Sequence, residues 1–316
     1  MRKITVLDAA TLGEDLDLSP LNELGEVTVW QNTAPDQVAE RLAGTEIALL
    51  NKVKLNESNL AGNETLKQIC IAATGFDNVD AAWCGAHGIA VCNVPGYSTD
   101  SVAQLTVTMA MTLVMHMNEY RQYVADGRYS AGKVANRLTP VYHEMRGMTW
   151  GIAGYGNIGK QVARVAEALG CRVIVHKRTP DPAAECVDLD TLCRESDILS
   201  LHVPLNGGTR GMIDRDHIGM MKPGAILINA ARGAVTDEHA VADAVLNGRL
   251  GGFGCDVYST EPFTDEHPFS AIRALDNVCL TPHMAWGAYE ARERCLRVMM
   301  DNIRALDRGE KLNRVD

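Results

Sequence analysis

Gly154-Tyr155-Gly156-Asn157-Ile158-Gly159 constrains this chain more than any other stretch, because what surrounds the glycines fits as well as the glycines do. The apolar run Met148-Thr149-Trp150-Gly151-Ile152-Ala153 before it reads as a buried strand. After it, Val162, Ala163, Val165, Ala166 and Leu169 fall at helical spacing. A strand that turns through three glycines into a helix is the dinucleotide-binding arrangement. The first glycine permits the tight turn, the second lets the backbone approach a pyrophosphate, and the third lets helix pack on strand. The helix N-terminus then offers free N–H groups and a partial positive charge to phosphates.

The rest of the chain repeats this alternation. Strand patterns run over 3–7, 27–30, 47–50, 68–72 and 90–93, and again over 149–153, 172–176, 198–203, 225–229, 252–256 and 278–280. Helical patterns such as 35–43 and 81–87 lie between them. Such alternation predicts an α/β protein of parallel sheets covered by helices on both faces. Two longer helical patterns, 98–123 and 288–306, flank the second set. They divide the 316 residues into two doubly wound parallel-sheet domains. A dinucleotide-binding Rossmann domain at 99–286 is inserted into a flavodoxin-like substrate domain made of 1–98 and 287–316. Two domains joined by paired crossovers are expected to bind ligand in a cleft at the hinge. The segment 125–146 has little periodicity and carries Gly127, Gly132 and Pro140. Loops of that length are usually functional, and a dimer arm is the expectation here.

Composition excludes several classes. With 46% hydrophobic and 22% charged residues the chain can bury real cores. A net charge of −10 with no long basic block argues against nucleic acid or an acidic membrane surface as partner. The apolar run 102–117 is interrupted by Gln104, Thr106, Thr108 and Thr112, and is shorter than the roughly 20 residues a membrane span needs. The nine cysteines are scattered without a CxxC pair and read as small buried hydrophobes of a reducing compartment. The chain enters Ile4-Thr5-Val6-Leu7 without a signal-peptide pattern, so a cytoplasmic protein is expected. No His, Cys and carboxylate grouping has metal-ligand spacing, and none is expected to be needed.

Three polar residues follow strand patterns in the second half: Arg232 in Ala230-Ala231-Arg232-Gly233, Glu261 in Thr260-Glu261-Pro262, and His283 in Thr281-Pro282-His283. In open α/β sheets the carboxyl ends of the strands face the ligand crevice, so all three could converge beside a cofactor. A guanidinium holds a carboxylate through two parallel hydrogen bonds. An imidazole can pass a proton near neutrality, and an adjacent carboxylate stabilises its charged form. Together they suit reduction of a 2-oxo acid. Taken singly, each also has a bland reading as a cap contact, a turn residue or a satisfied loop histidine.

Gly154–Gly159, Ala231-Arg232-Gly233, Asp256-Val257-Tyr258 with Glu261-Pro262, and Pro282-His283 together resemble the D-isomer-specific 2-hydroxyacid dehydrogenases. The likeness runs over nearly the whole chain, with the motifs in the family's order. The stretches 73–80 and 93–99, with Ala285-Trp286, look like the glycerate dehydrogenase/hydroxypyruvate reductase branch. The resemblance implies that Arg232 binds and polarises the substrate, that His283 is the acid/base, and that Glu261 supports it. It also implies substrate contacts from Thr74, Gly75 and Trp286, the backbone N–H groups of the first two holding the carboxylate. Cofactor contacts are implied at Gly154, Tyr155, Gly156, Asn157, Ile158, Gly159, Val203, Pro204, Thr209, Ala230, Ala231 and Asp256. A homodimer through the cofactor domain is expected.

One position departs from the common pattern. Where an acidic residue usually ends the second strand and accepts from the ribose 2′-OH, this chain has Lys177-Arg178-Thr179 after Val173-Ile174-Val175-His176. The cations suit a 2′-phosphate, so NADP(H) is the preferred cofactor, while nearby Asp181 keeps NAD(H) open. His202 and Lys52 are weaker candidates: His202 reads equally as a buried packing histidine, and Lys52 reads by default as a surface lysine. A compact phosphoglycerate dehydrogenase, or a nucleotide-sensing corepressor on the same fold, are the rival readings.

Overall fold

The computed structural model describes residues 1–316, in eleven strands with intervening helices. By internal contacts the chain forms two compact units, Met1–Ser98 with Gly287–Asp316, and Thr99–Trp286. No helix is long and apolar enough to cross a membrane.

The first unit holds β1 (Lys3–Val6), β2 (Glu26–Val29), β3 (Ile47–Leu50), β4 (Gln68–Ile71) and β5 (Ala90–Cys92), all parallel, in the order β2-β1-β3-β4-β5. That is the flavodoxin-like order. The register aligns Ile4 with Ile47 and Ile47 with Gln68. Strands β3 and β4 are buried along their whole length, as unbroken apolar runs in a covered parallel sheet should be, whereas edge strand β2 is largely exposed. The helix Tyr289–Asp307 returns to this unit: Gln68 Nε2 donates to the Asn302 carbonyl (3.0 Å) and Asn302 Nδ2 to that of Asn93 (3.0 Å).

The second unit contains β6 (Thr149–Ala153), β7 (Arg172–His176), β8 (Ile198–Leu201), β9 (Ala225–Asn229), β10 (Leu250–Cys255) and β11 (Val278–Leu280) in the order β11-β10-β9-β8-β6-β7. Cys186 adds a single parallel bridge to Val175, on the side of β7 away from β6. Counting that bridge as a third strand, the sheet follows the 3-2-1-4-5-6 nucleotide-binding order with one strand added. Trp150 is fully buried and its Nε1 donates to Ser200 Oγ (2.9 Å), linking β6 to β8. Aspartates cap the helices that follow the strands: Asp188 accepts from Thr191 N, Asp214 from His217 N and Asp237 from Ala240 N.

The long pattern expected at 98–123 is not one helix. It breaks into Thr99–Val114 and Met117–Ala125, because His116 adopts a left-handed conformation (φ 51°) that cannot continue a right-handed turn. Gly252 and Gly254 let the first of these helices lie close on β10: a Cβ at either would come within 3.2 or 3.1 Å of Leu113 or Met109. The segment after Ala125 contains only the short helix Arg128–Ala131 before β6.

Candidate active site

The glycine turn leaves β6 where β6 and β8 lie side by side, the point at which the strand order reverses. Gly154 has φ 96°, and a Cβ there would sit 2.5 Å from the His202 carbonyl oxygen and 2.9 Å from Val203 N. The turn therefore presses against the chain leaving β8, where Val203 and Pro204 follow. A Cβ on Gly159 would come 2.2 Å from the Gly154 carbonyl oxygen, so the third glycine serves helix-to-turn packing. Gly156 differs: nothing lies within 4 Å of where its Cβ would be. It is the N-cap of the helix Asn157–Ala168 and no side chain caps that helix, so its first N–H groups have neither an intrahelical nor a capping side-chain acceptor. Such a turn fits a dinucleotide pyrophosphate. Thr209 closes the next loop, accepting from Asn206 N (2.9 Å) and donating to the Pro204 carbonyl (2.6 Å).

The basic turn after β7 carries a feature that its sequence did not disclose. Asp181 Oδ2 lies 3.1 Å from Lys160 Nζ and 3.7 Å from Lys177 Nζ. A backbone hydrogen bond from Ala183 and the two lysines hold its carboxyl below the usual range. The one acid near the turn is thus engaged by cations, while Arg178 and Thr179 are exposed.

His283 and Glu261 are brought together. His283 Nδ1 lies 2.6 Å from Glu261 Oε2, and Tyr258 N donates to Glu261 Oε1 (3.0 Å). With Nδ1 directed at a carboxylate, Nε2 is the ring atom left for proton exchange. His283 has φ 54°, a conformation rare for a residue with a side chain. Its loop is held by Asp256, which is 1% exposed. Asp256 Oδ1 accepts from Thr281 Oγ1 (2.6 Å) and Met284 N (2.9 Å), and Oδ2 accepts from Ala285 N (2.9 Å). Burial raises the Asp256 carboxyl against these hydrogen bonds. Trp286 Nε1 donates back to the His283 carbonyl (3.0 Å), and Ser101 Oγ to that of Ala285 (2.5 Å).

Arg232 lies at the turn after β9, between Ala231 and the short 3-10 turn Gly233–Val235. Asn229, completely buried at the end of β9, shapes that turn: its Oδ1 accepts from Ala231 N (3.1 Å) and its Nδ2 donates to the Arg232 carbonyl (2.9 Å). Sequence reasoning missed Asn229. The only signal for it was a polar residue closing an apolar run.

Thr74 and Gly75 belong to the first unit, where Thr74 Oγ1 donates to the Val94 carbonyl (2.9 Å). Lys52 is exposed there and its N–H donates to buried Asp8 (2.6 Å). His202 is half-buried. Its Nε2 contacts Ser200 Oγ (3.1 Å), its Nδ1 is shut from solvent without a partner, and burial pushes its pKa down to about 4.

Residues 107–285 match the family model for the D-isomer specific 2-hydroxyacid dehydrogenase NAD binding domain. A glycerate dehydrogenase from Methylorubrum extorquens is 36% identical over 316 residues, covering 100% of this chain and 99% of the relative. A hydroxypyruvate reductase from Blautia hydrogenotrophica is 31% identical over 99% of both chains. Among solved structures, an acyclic imino acid reductase in complex with NADPH and D-Arg superposes with a TM-score of 0.89 at 28% identity, over 99% of this chain and 100% of that one. The chain belongs to the D-isomer-specific 2-hydroxyacid dehydrogenase family.

Proposed function

We propose that this protein reduces hydroxypyruvate or glyoxylate to the D-2-hydroxy acid, reversibly, with NADP(H) preferred over NAD(H). The observation that carries the chemistry is the 2.6 Å contact between His283 Nδ1 and Glu261 Oε2. When bound, the cofactor supplies the hydride for C2 of the substrate. Glu261 accepts from Nδ1 and stabilises the imidazolium, so that Nε2 of His283 carries the proton delivered to the forming alkoxide; in the reverse direction Nε2 takes it back. Arg232 orients the carboxylate and carbonyl through its planar fork, with the N–H groups of Thr74 and Gly75 assigned to the same carboxylate and Trp286 to the substrate body. Asp256 keeps the His283 loop in place through Thr281, Met284 and Ala285, and is assigned with that loop to the cofactor.

The NADP(H) preference rests on Lys177, Arg178 and Lys160 outnumbering Asp181 around the turn after β7. Tyr155, Asn157, Ile158, Val203, Pro204, Thr209, Ala230 and Ala231 are assigned to the cofactor with the glycines. A homodimer through the second unit is supported by apolar residues concentrated before β6: Val134 (68% exposed), Leu138 (70%) and Val141 (68%). Nine free thiols suit a cytoplasmic location.

The test is a side-by-side assay of hydroxypyruvate, glyoxylate, pyruvate and 3-phosphohydroxypyruvate with each cofactor. Hydroxypyruvate or glyoxylate with NADPH should give the highest kcat/KM. A preference for the phosphorylated acid would make this a phosphoglycerate dehydrogenase, and no turnover of any of the four would refute the enzymatic reading.

A further inference from the structure

Glu238 begins the helix Glu238–Leu246, and its side chain is only 9% exposed. It does not cap its own helix, because Asp237 does so through Ala240 N (3.0 Å). Its carboxylate is turned outward to another segment. Oε1 accepts from Ser259 N (2.8 Å), and Oε2 accepts from Ser259 Oγ. His267 closes the far side, its Nε2 lying 3.1 Å from Oε2 in an oblique, largely electrostatic contact. His267 Nδ1 accepts from Phe269 N (3.2 Å), which puts the proton of the neutral ring on Nε2, facing Glu238. The ring is wedged among Tyr258, Phe263 and Phe269, with centroids 6.0, 4.9 and 4.9 Å away. A buried carboxylate is costly unless its acceptors are filled, and Ser259 supplies one donor to each oxygen of Glu238.

Ser259 is where this matters. The Tyr258–Ser259 peptide lies against Gly233, whose Cβ would come 2.1 Å from Tyr258 C and 2.2 Å from Ser259 N. The N–H of Tyr258 meanwhile donates to Glu261. One short segment thus touches the residue that follows Arg232 and the carboxylate that holds His283. Glu238, reached from the Arg232 turn through Thr236 and Asp237, is the side chain that fastens it.

We propose that Glu238, backed by His267, is a positioning residue that fixes the Tyr258–Ser259 segment and thereby sets Glu261 against His283. This rests on the assignment of Glu261 and His283 as the proton-transfer pair. A residue acting through Glu261 has no effect left once Glu261 is disabled, whereas a general structural role would add its loss on top.

The test is a double-mutant cycle on kcat for 2-oxo acid reduction, with cofactor Kd measured in each variant. Glu238→Ala should lower kcat about tenfold or more while cofactor Kd stays within about twofold, and adding it to Glu261→Gln should cost no more than about twofold further. Glu238→Gln, which keeps one oxygen for Ser259 N–H, should recover part of the loss. A parent-like kcat in Glu238→Ala, or losses that multiply in the double variant, overturns the proposal. Should Glu238→Ala fail to fold, Ser259→Ala enters the same cycle under the same criteria. An unchanged kcat in Glu261→Gln removes the pair assignment and this inference with it. A lowered kcat there beside a parent-like Glu238→Ala removes the positioning role alone.

Discussion

Alanine substitutions at Gly154 and Gly156 should separate two duties that the glycine motif combines. At Gly154 the backbone has φ 96°, and the new Cβ would meet the His202 carbonyl oxygen at 2.5 Å and Val203 N at 2.9 Å. Those are backbone atoms and cannot rotate aside. The conformation alone costs about 1–3 kcal/mol for a residue with a side chain. In a unit of this size each kcal/mol lowers Tm by about 2–4 °C, so Gly154→Ala should melt about 2–12 °C lower before the collision is counted. Gly156 has φ −87°, with nothing within 4 Å of its Cβ position. Alanine there costs only the weaker N-cap, about 0.5–1 kcal/mol. Its methyl group would instead fill the space assigned to the pyrophosphate, and Kd for NADPH and NADH should rise about tenfold or more, equivalent to roughly 1.4 kcal/mol. Thermal melts without cofactor and fluorescence titrations with it read the two effects apart. Parent-like cofactor binding in Gly156→Ala would show that the open space is not the pyrophosphate seat. A parent-like melt for Gly154→Ala would refute the strain argument.

Three further outcomes follow from the site. His283→Ala should lower kcat by about 10²–10⁴-fold with cofactor Kd unchanged; a near-normal kcat in single-turnover and steady-state assays would remove His283 from proton transfer. Lys177→Asp should shift the ratio of kcat/KM for NADPH over NADH about tenfold towards NADH, since it removes one cation and adds a 2′-OH acceptor beside Asp181; a parent that already prefers NADH refutes the reading of that turn. His202 bears on stability: with its pKa depressed from 6.5 to about 4, the neutral ring favours the fold. That contribution is whole above pH 6.5, the unfolded value, and is lost as pH falls through about 4, at most about 3 kcal/mol. Urea midpoints should therefore fall less steeply on acidification in His202→Gln than in the parent, and equal slopes would sink the argument.

Local pattern alone located all eleven strands, with ends misjudged by a residue or two, and the glycine turn between β6 and its helix. These were legible because burial in a parallel sheet demands continuous apolar runs, and because glycines and aspartates punctuate them at fixed offsets. The positions of Arg232, Glu261 and His283 after β9, β10 and β11 were legible for the same reason, since strand ends in such sheets point one way. The helix break at His116 was not, because a single left-handed residue leaves no periodic trace. Nor was the arrangement of side chains around those strand ends. The clasp of Asp256 on Met284 and Ala285, that of Asn229 on the Arg232 turn, the lysines around Asp181 and the hold of Glu238 on Ser259 join residues by side-chain hydrogen bonds and ion pairs. Residue type restricts such contacts only to donors and acceptors, and many polar residues meet that test. The strand order and the packing of helices on the sheet bring one particular pair within about 3 Å, and that choice exists only once the chain has folded.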